Sequence, residues 1–142
     1  MTHILTDSQS KPNASVPASL WAGRIVSGLV IVFFAFDGVR KLIQPQVVID
    51  ATRRIGWPAD AASLAILGVI LLACTALYAY PKTATLGAIV LTGYLGGAVA
   101  AHARLGDPLF SHVLFGVYLG LFVWGGLWFR DGRIRELIPI GK

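Results

Sequence analysis

Apolar residues run almost unbroken through four stretches of this chain, residues 20–43, 63–80, 84–104 and 112–129, and polar residues gather between and beside them. Each stretch comes close to the ~20 residues an α-helix needs to cross a bilayer. The pattern predicts an all-α fold, a bundle of four transmembrane helices running up-down-up-down. Residues 81–83 and 105–111 make short connections, so successive spans should pack as antiparallel neighbours. The longest connection, 44–62, carries Val47, Val48, Ala51, Ile55 and Trp57 at near-helical spacing, with Asp50, Arg53 and Arg54 between them. That pattern predicts a short interfacial helix between the first and second spans, stopped by Pro58.

Alternating crossings sort the polar residues before any absolute orientation is known. Asp37, Arg40 and Lys41 close the first span, His102 and Arg104 close the third, and His112 opens the fourth. All six are therefore expected at one side of the membrane. The short helix falls on the same side, where it would form a lid over the bundle mouth.

Composition agrees with the spans. The 142 residues are 56% hydrophobic and 13% charged, against about 45–50% and about 25% in soluble domains. The net charge of +5 raises a nucleic-acid reading, but the basic residues flank apolar spans and form no single soluble patch, so no nucleic-acid partner is expected. The lipid bilayer is the expected surrounding. Lys11, Arg24, Lys82, Arg130, Arg133, Arg135 and Lys142 share the side of Met1 and Lys142; Arg40, Lys41, Arg53, Arg54 and Arg104 lie opposite. By the positive-inside rule, seven against five places both termini in the cytoplasm of a bacterial-type inner membrane. Trp21, Trp57, Trp124, Trp128, Tyr78 and Tyr80 fall near span ends, as rings of the lipid–water boundary do. Residues 1–17 read as a disordered tail, 18–132 as the bundle and 133–142 as a basic tail on the membrane surface.

The lone cysteine, Cys74, excludes an intramolecular disulfide or a Cys-x-x-Cys redox pair within one chain. Gly93 and Gly97, Gly116 and Gly120, with Gly87 and Gly125, are expected to let helices approach closely.

Candidate chemistry lies at the polar end. Asp37 is the most informative residue, because a carboxylate at the centre of a span costs roughly 2.5–3.5 kcal/mol on insertion scales and must find a partner. Arg40 and Lys41, at i+3 and i+4, can supply one and end the span without further purpose. His112 follows His102 by ten residues across a tight loop, so the two imidazoles are expected to be able to approach each other at the bundle mouth. Tyr94 lies two turns before His102, and Asp107 and Ser111 are placed to orient His112 or to cap the fourth helix. Imidazoles and carboxylates suit proton transfer. The expected catalytic set is Asp37, His102 and His112; the expected ligand-binding set is Arg40, Lys41, Tyr94 and Arg104. No H-x-x-x-H or E-x-x-H spacing occurs, and no metal site is expected. No motif for flavin, haem or an iron–sulfur cluster is recognisable.

The run from Gly93-Tyr94-Leu95-Gly96-Gly97 to Ala101-His102, then Asp107-Pro108, Ser111-His112 and the closing run from Leu127-Trp128-Phe129-Arg130 to Arg135, resembles the DoxX-like family of small four-helix membrane proteins over residues 21–139. Members of that family include the membrane subunit of a thiosulfate:quinone oxidoreductase and partners of redox complexes, and distant relatives act as cargo receptors. The resemblance implies a quinone as substrate or ligand, held as a small lipophilic molecule in the bundle and linked to membrane redox metabolism. Two other readings stay open: a non-enzymatic subunit or scaffold binding a partner protein or its own copies, and a cofactor-free isomerase or hydrolase of a lipophilic substrate.

Overall fold

The computed structural model describes residues 17–138. The expected tail over 1–17 therefore lies outside the described residues except for Pro17, as does 139–142. The chain folds into α1 (Ala18–Ile43), α2 (Gln46–Arg54), α3 (Ala61–Ala79), α4 (Ala84–Arg104), α5 (Phe115–Arg130) and α6 (Gly132–Leu137). A π-helical turn over Leu109–Val113 leads directly into α5. Four of these segments, Ala18–Ile43, Ala61–Ala79, Ala84–Arg104 and Leu109–Arg130, are long and apolar enough to cross a membrane. The helix starts fit their sequence: the Asp60 side chain accepts the Ser63 amide at the head of α3, a cap that also holds the Asp60 carboxyl below its usual range.

Helix α1 lies against α3 and α5, and α4 closes the ring against the same two. The resulting square bundle buries Val30, Phe34, Leu71, Leu91, Leu95, Val123 and Leu127 along its axis. Leu29, Val32, Ile66, Val69, Leu86, Ile89 and Leu121 point outward and are exposed. A helix apolar on both its inner and outer faces is soluble only in lipid. The protein is an integral membrane protein.

Close approach rests on Gly87, Gly116 and Gly120 of the expected glycines, and not on Gly93, Gly97 and Gly125. A Cβ on Gly87 would lie 2.2 Å from the Tyr78 backbone nitrogen, so α3 and α4 touch there backbone to backbone. Gly116 meets Val99 and the Leu95 carbonyl in the same way, and Gly120 comes within ordinary contact of Leu95. Around Gly93, Gly97 and Gly125, however, nothing stands within 4 Å of a Cβ, so these three do not serve packing within the chain.

One further expectation needs correction. Tyr78 is no boundary residue: it is fully buried, its hydroxyl donates to the Val123 carbonyl at 2.8 Å and lies 3.1 Å from Ser27 Oγ. A ring near a span end looks interfacial until tertiary packing supplies buried partners for its oxygen. Segment α6, within the basic tail, buries Ile134 against the core and leaves Arg133 and Leu137 exposed.

Candidate functional site

At the end of the bundle away from Pro17, α1, α2, α4 and the π-helical turn bring the polar residues together. Helix α1 stops at Gln44, whose left-handed φ of 56° breaks the helix while its amide still bonds the Arg40 carbonyl. Gln44 Nε2 then donates to the Ala61 carbonyl at 2.8 Å and fixes the head of α3. Within the last turns of α1, Lys41 donates to Asp37 in an i,i+4 ion pair, with the lysine the more shielded partner. Tyr94 of α4 is half-buried and lies within electrostatic reach of Asp37. Arg40 turns elsewhere: its guanidinium sits 5.6 Å over the ring of exposed Phe36.

The short helix α2 is narrower than the expected 44–57. Pro45 supplies its start, and it ends before Pro58 because Gly56 takes φ 75°. Gly56 N–H bonds the Arg53 carbonyl and Trp57 N–H the Thr52 carbonyl, the paired bonds of a Schellman turn. Helix α4 ends identically: Gly106, at φ 66°, donates to Ala103, and Asp107 donates to His102 at 3.2 Å. Each helix then reaches into the other's turn. Arg54, at the end of α2, donates to Asp107 Oδ1 at 2.5 Å; Arg104, at the end of α4, donates to the Ile55 carbonyl at 2.9 Å. The two bonds form a clasp holding α2 across the mouth, with Val48 and Thr52 turned inward. Arg104 thus serves the clasp.

The same Schellman turn sets the chemistry of His102. It folds the Asp107 backbone beside the helix end, so that Asp107 Oδ2 lies 2.6 Å from His102 Nδ1. The carboxylate is almost wholly shielded, with 6% of its side chain exposed. The hydrogen bond from His102, reinforced by Arg54, holds the Asp107 carboxyl below its usual range. An ionised carboxylate only accepts, so His102 Nδ1 carries the hydrogen and Nε2 is left as the free edge.

His112 comes from the π-helical turn. The wide turn bonds Val113 N–H to the Pro108 carbonyl and Leu114 N–H to the Leu109 carbonyl. It brings the His112 ring to 5.9 Å from that of His102, as the sequence suggests. Such turns insert an extra residue and re-aim side chains, which is why they recur at functional sites. Two details differ from expectation. Ser111 does not cap the fourth helix, because it lies inside the π turn; its hydroxyl is 2.8 Å from His112 Nδ1. Asp107 orients His102 instead of His112.

The site therefore has an inner part, Asp37, Lys41 and Tyr94, and a rim, His102, Asp107, His112 and Ser111. Among the described residues no hydrogen bond or ion pair joins the two parts, and no three His, Cys, Asp or Glu side chains converge as a metal site. An apolar groove of 690 Å³ runs along the outer face of α5 from Phe115, three positions after His112, to Phe129, and includes Val26, Tyr118 and Phe122.

The model of the DoxX-like family matches residues 25–126. The chain belongs to the DoxX-like family. The match reaches into all four spans of this DoxX-like protein, takes in α2, His102 and His112, and stops before Arg130 and the C-terminal segment that the sequence resemblance also included. No curated protein and no solved structure matches the chain.

Proposed function

We propose that this DoxX-like protein binds a quinone-like or other small lipophilic molecule at the polar end of the bundle, in the service of membrane redox metabolism. The observation that carries the reading is the pair of imidazoles, His102 and His112, at 5.9 Å with both Nδ1 atoms engaged from behind. Such a pair offers two Nε2 edges to one polar head. The Lys41 ammonium and the Tyr94 hydroxyl are donors for a ring carbonyl, and the groove leading from Phe115 suits an apolar tail. Asp37 holds Lys41 in place, and His102 and His112 accept or release protons as the charge on the head group changes. Electrons for quinone chemistry come from a redox partner; the residues of this chain bind the ring and handle protons.

His102→Ala should weaken binding of a short-chain quinone about tenfold or more, read by quenching of tryptophan fluorescence in detergent, with folded yield unchanged. An unaltered affinity removes His102 from the site. The charge balance supports the bacterial inner membrane with Met1 and Lys142 on the cytoplasmic side. In a Cys74→Ser background, Arg53→Cys should react with an impermeant maleimide from outside intact spheroplasts and Lys82→Cys should not; the reverse pattern inverts the topology.

A second reading, a membrane subunit that holds a partner or another copy, is favoured by the open surface around Gly93, Gly96 and Gly97 on α4. In that case native membranes should yield a stoichiometric partner, and His102→Ala should leave the complex intact.

A further inference from the structure

The opposite end of the bundle holds a cleft that the reading above does not use. It has a volume of 330 Å³ and is lined by Leu20 and Arg24 of α1, Pro81 of the α3–α4 turn, Ala84 at the start of α4, Leu127 and Arg130 of α5, and Asp131 and Arg133 beyond it. Three arginines face one aspartate there. Asp131 is already committed: it accepts the Arg133 amide at 3.0 Å as the cap of α6, and its Oδ1 lies 3.5 Å from Arg133 Nε. Arg130 forms the inner wall, its Nη2 donating to the Tyr78 carbonyl at 2.8 Å and its guanidinium stacked 4.7 Å over the Tyr78 ring. Arg24 and Arg133 line the cleft and are exposed.

Depth in the membrane selects the ligand. The cleft sits where α1 and α4 begin and α5 ends, the level of the polar headgroups, and half-exposed Trp21 marks the same boundary. Its volume lies at the lower end of small-molecule sites, about 300–1,000 Å³, and suits a head group more than a whole two-chain lipid. Leu20, Pro81, Ala84 and Leu127 offer an apolar wall beside the cationic rim. Guanidinium forks match the oxygens of a phosphate in pairs, and basic pockets between spans take anionic head groups.

We propose that this cleft binds the phosphate of an anionic amphiphile, gripped by Arg24 and Arg133 above the wall formed by Arg130. The shared chemistry is a phosphate ester, supplied by a phospholipid or by a free phosphorylated molecule. Native mass spectrometry of the full chain in mild detergent, titrated with phosphatidylglycerol, phosphatidylcholine or inorganic phosphate, separates the sources. Wild type should retain phosphatidylglycerol over phosphatidylcholine, and Arg24→Gln/Arg133→Gln should lower that affinity by about tenfold. Lys82→Gln/Arg135→Gln, which removes the same charge at the same end outside the cleft lining, should lower it by no more than about threefold. Inorganic phosphate that binds wild type, fails on Arg24→Gln/Arg133→Gln and displaces the lipid would support the site with a free phosphate as its source. Equal retention of the two lipids by wild type, or equal loss in the two variants, would overturn the proposal.

Discussion

Tyr78 ties α3 to both α1 and α5. It belongs to the same buried core as Ala88 and Leu91, its hydroxyl serves α1 through Ser27 and α5 through Val123, and its backbone carbonyl and ring hold Arg130. Removing the hydroxyl by Tyr78→Phe should cost about 1–2 kcal/mol, since each buried hydrogen bond contributes about 1 kcal/mol net. The measurement is thermal unfolding in detergent, and an unshifted transition would mean that the network contributes nothing. None of this was legible in sequence, because a tyrosine near a span end reads as interfacial until Ser27, 51 positions away, is known to face it. Asp37 and Lys41 were legible for the opposite reason: their i,i+4 spacing lies within one helix and needs no tertiary knowledge.

Among elements, the clasp between α2 and the end of α4 ties the two helix ends together. Two glycine-terminated helices exchange arginines, Arg54 to Asp107 and Arg104 to the Ile55 carbonyl. Gly56 is required twice, for its φ of 75° and because a Cβ there would stand 2.7 Å from Arg104 Nη2. Asp107→Asn removes the charge that Arg54 and His102 share, so amides of α2 should exchange with deuterium roughly five- to tenfold faster in wild-type-like micelles. The Asp107 carboxyl lies below its usual value of 3.8, so the clasp's contribution is complete above that pH and is lost as pH falls through the lowered value. Wild-type α2 should loosen in that acid window and Asp107→Asn should show no such step; matching pH profiles would take Asp107 out of the clasp. The lid helix itself was legible from its apolar spacing, whereas the clasp was not, because it depends on two positive-φ glycines placing distant arginines opposite one another.

For the whole molecule, four apolar runs and alternating crossings were enough to give the spans, the bundle and the end at which Asp37, His102 and His112 gather. Span limits moved by only a few residues, the most at the fourth, where the π turn begins at Leu109 and converts an expected helix cap into part of the site. Sequence had less to say about which glycines pack, because lipid-facing and helix-facing positions are equally apolar in a membrane protein. The bundle therefore presents two chemically distinct ends joined by an apolar body, with the paired imidazoles at one and the arginine-lined cleft at the other. The central claim, a lipophile seated at the imidazole end, is tested most directly by mass spectrometry of small molecules that co-purify in mild detergent with wild type and with a folded Asp37→Asn/His102→Ala variant. A quinone or a single lipophile enriched with wild type and depleted at least about tenfold in the variant is the predicted result. The same lipophile content in both samples would contradict it.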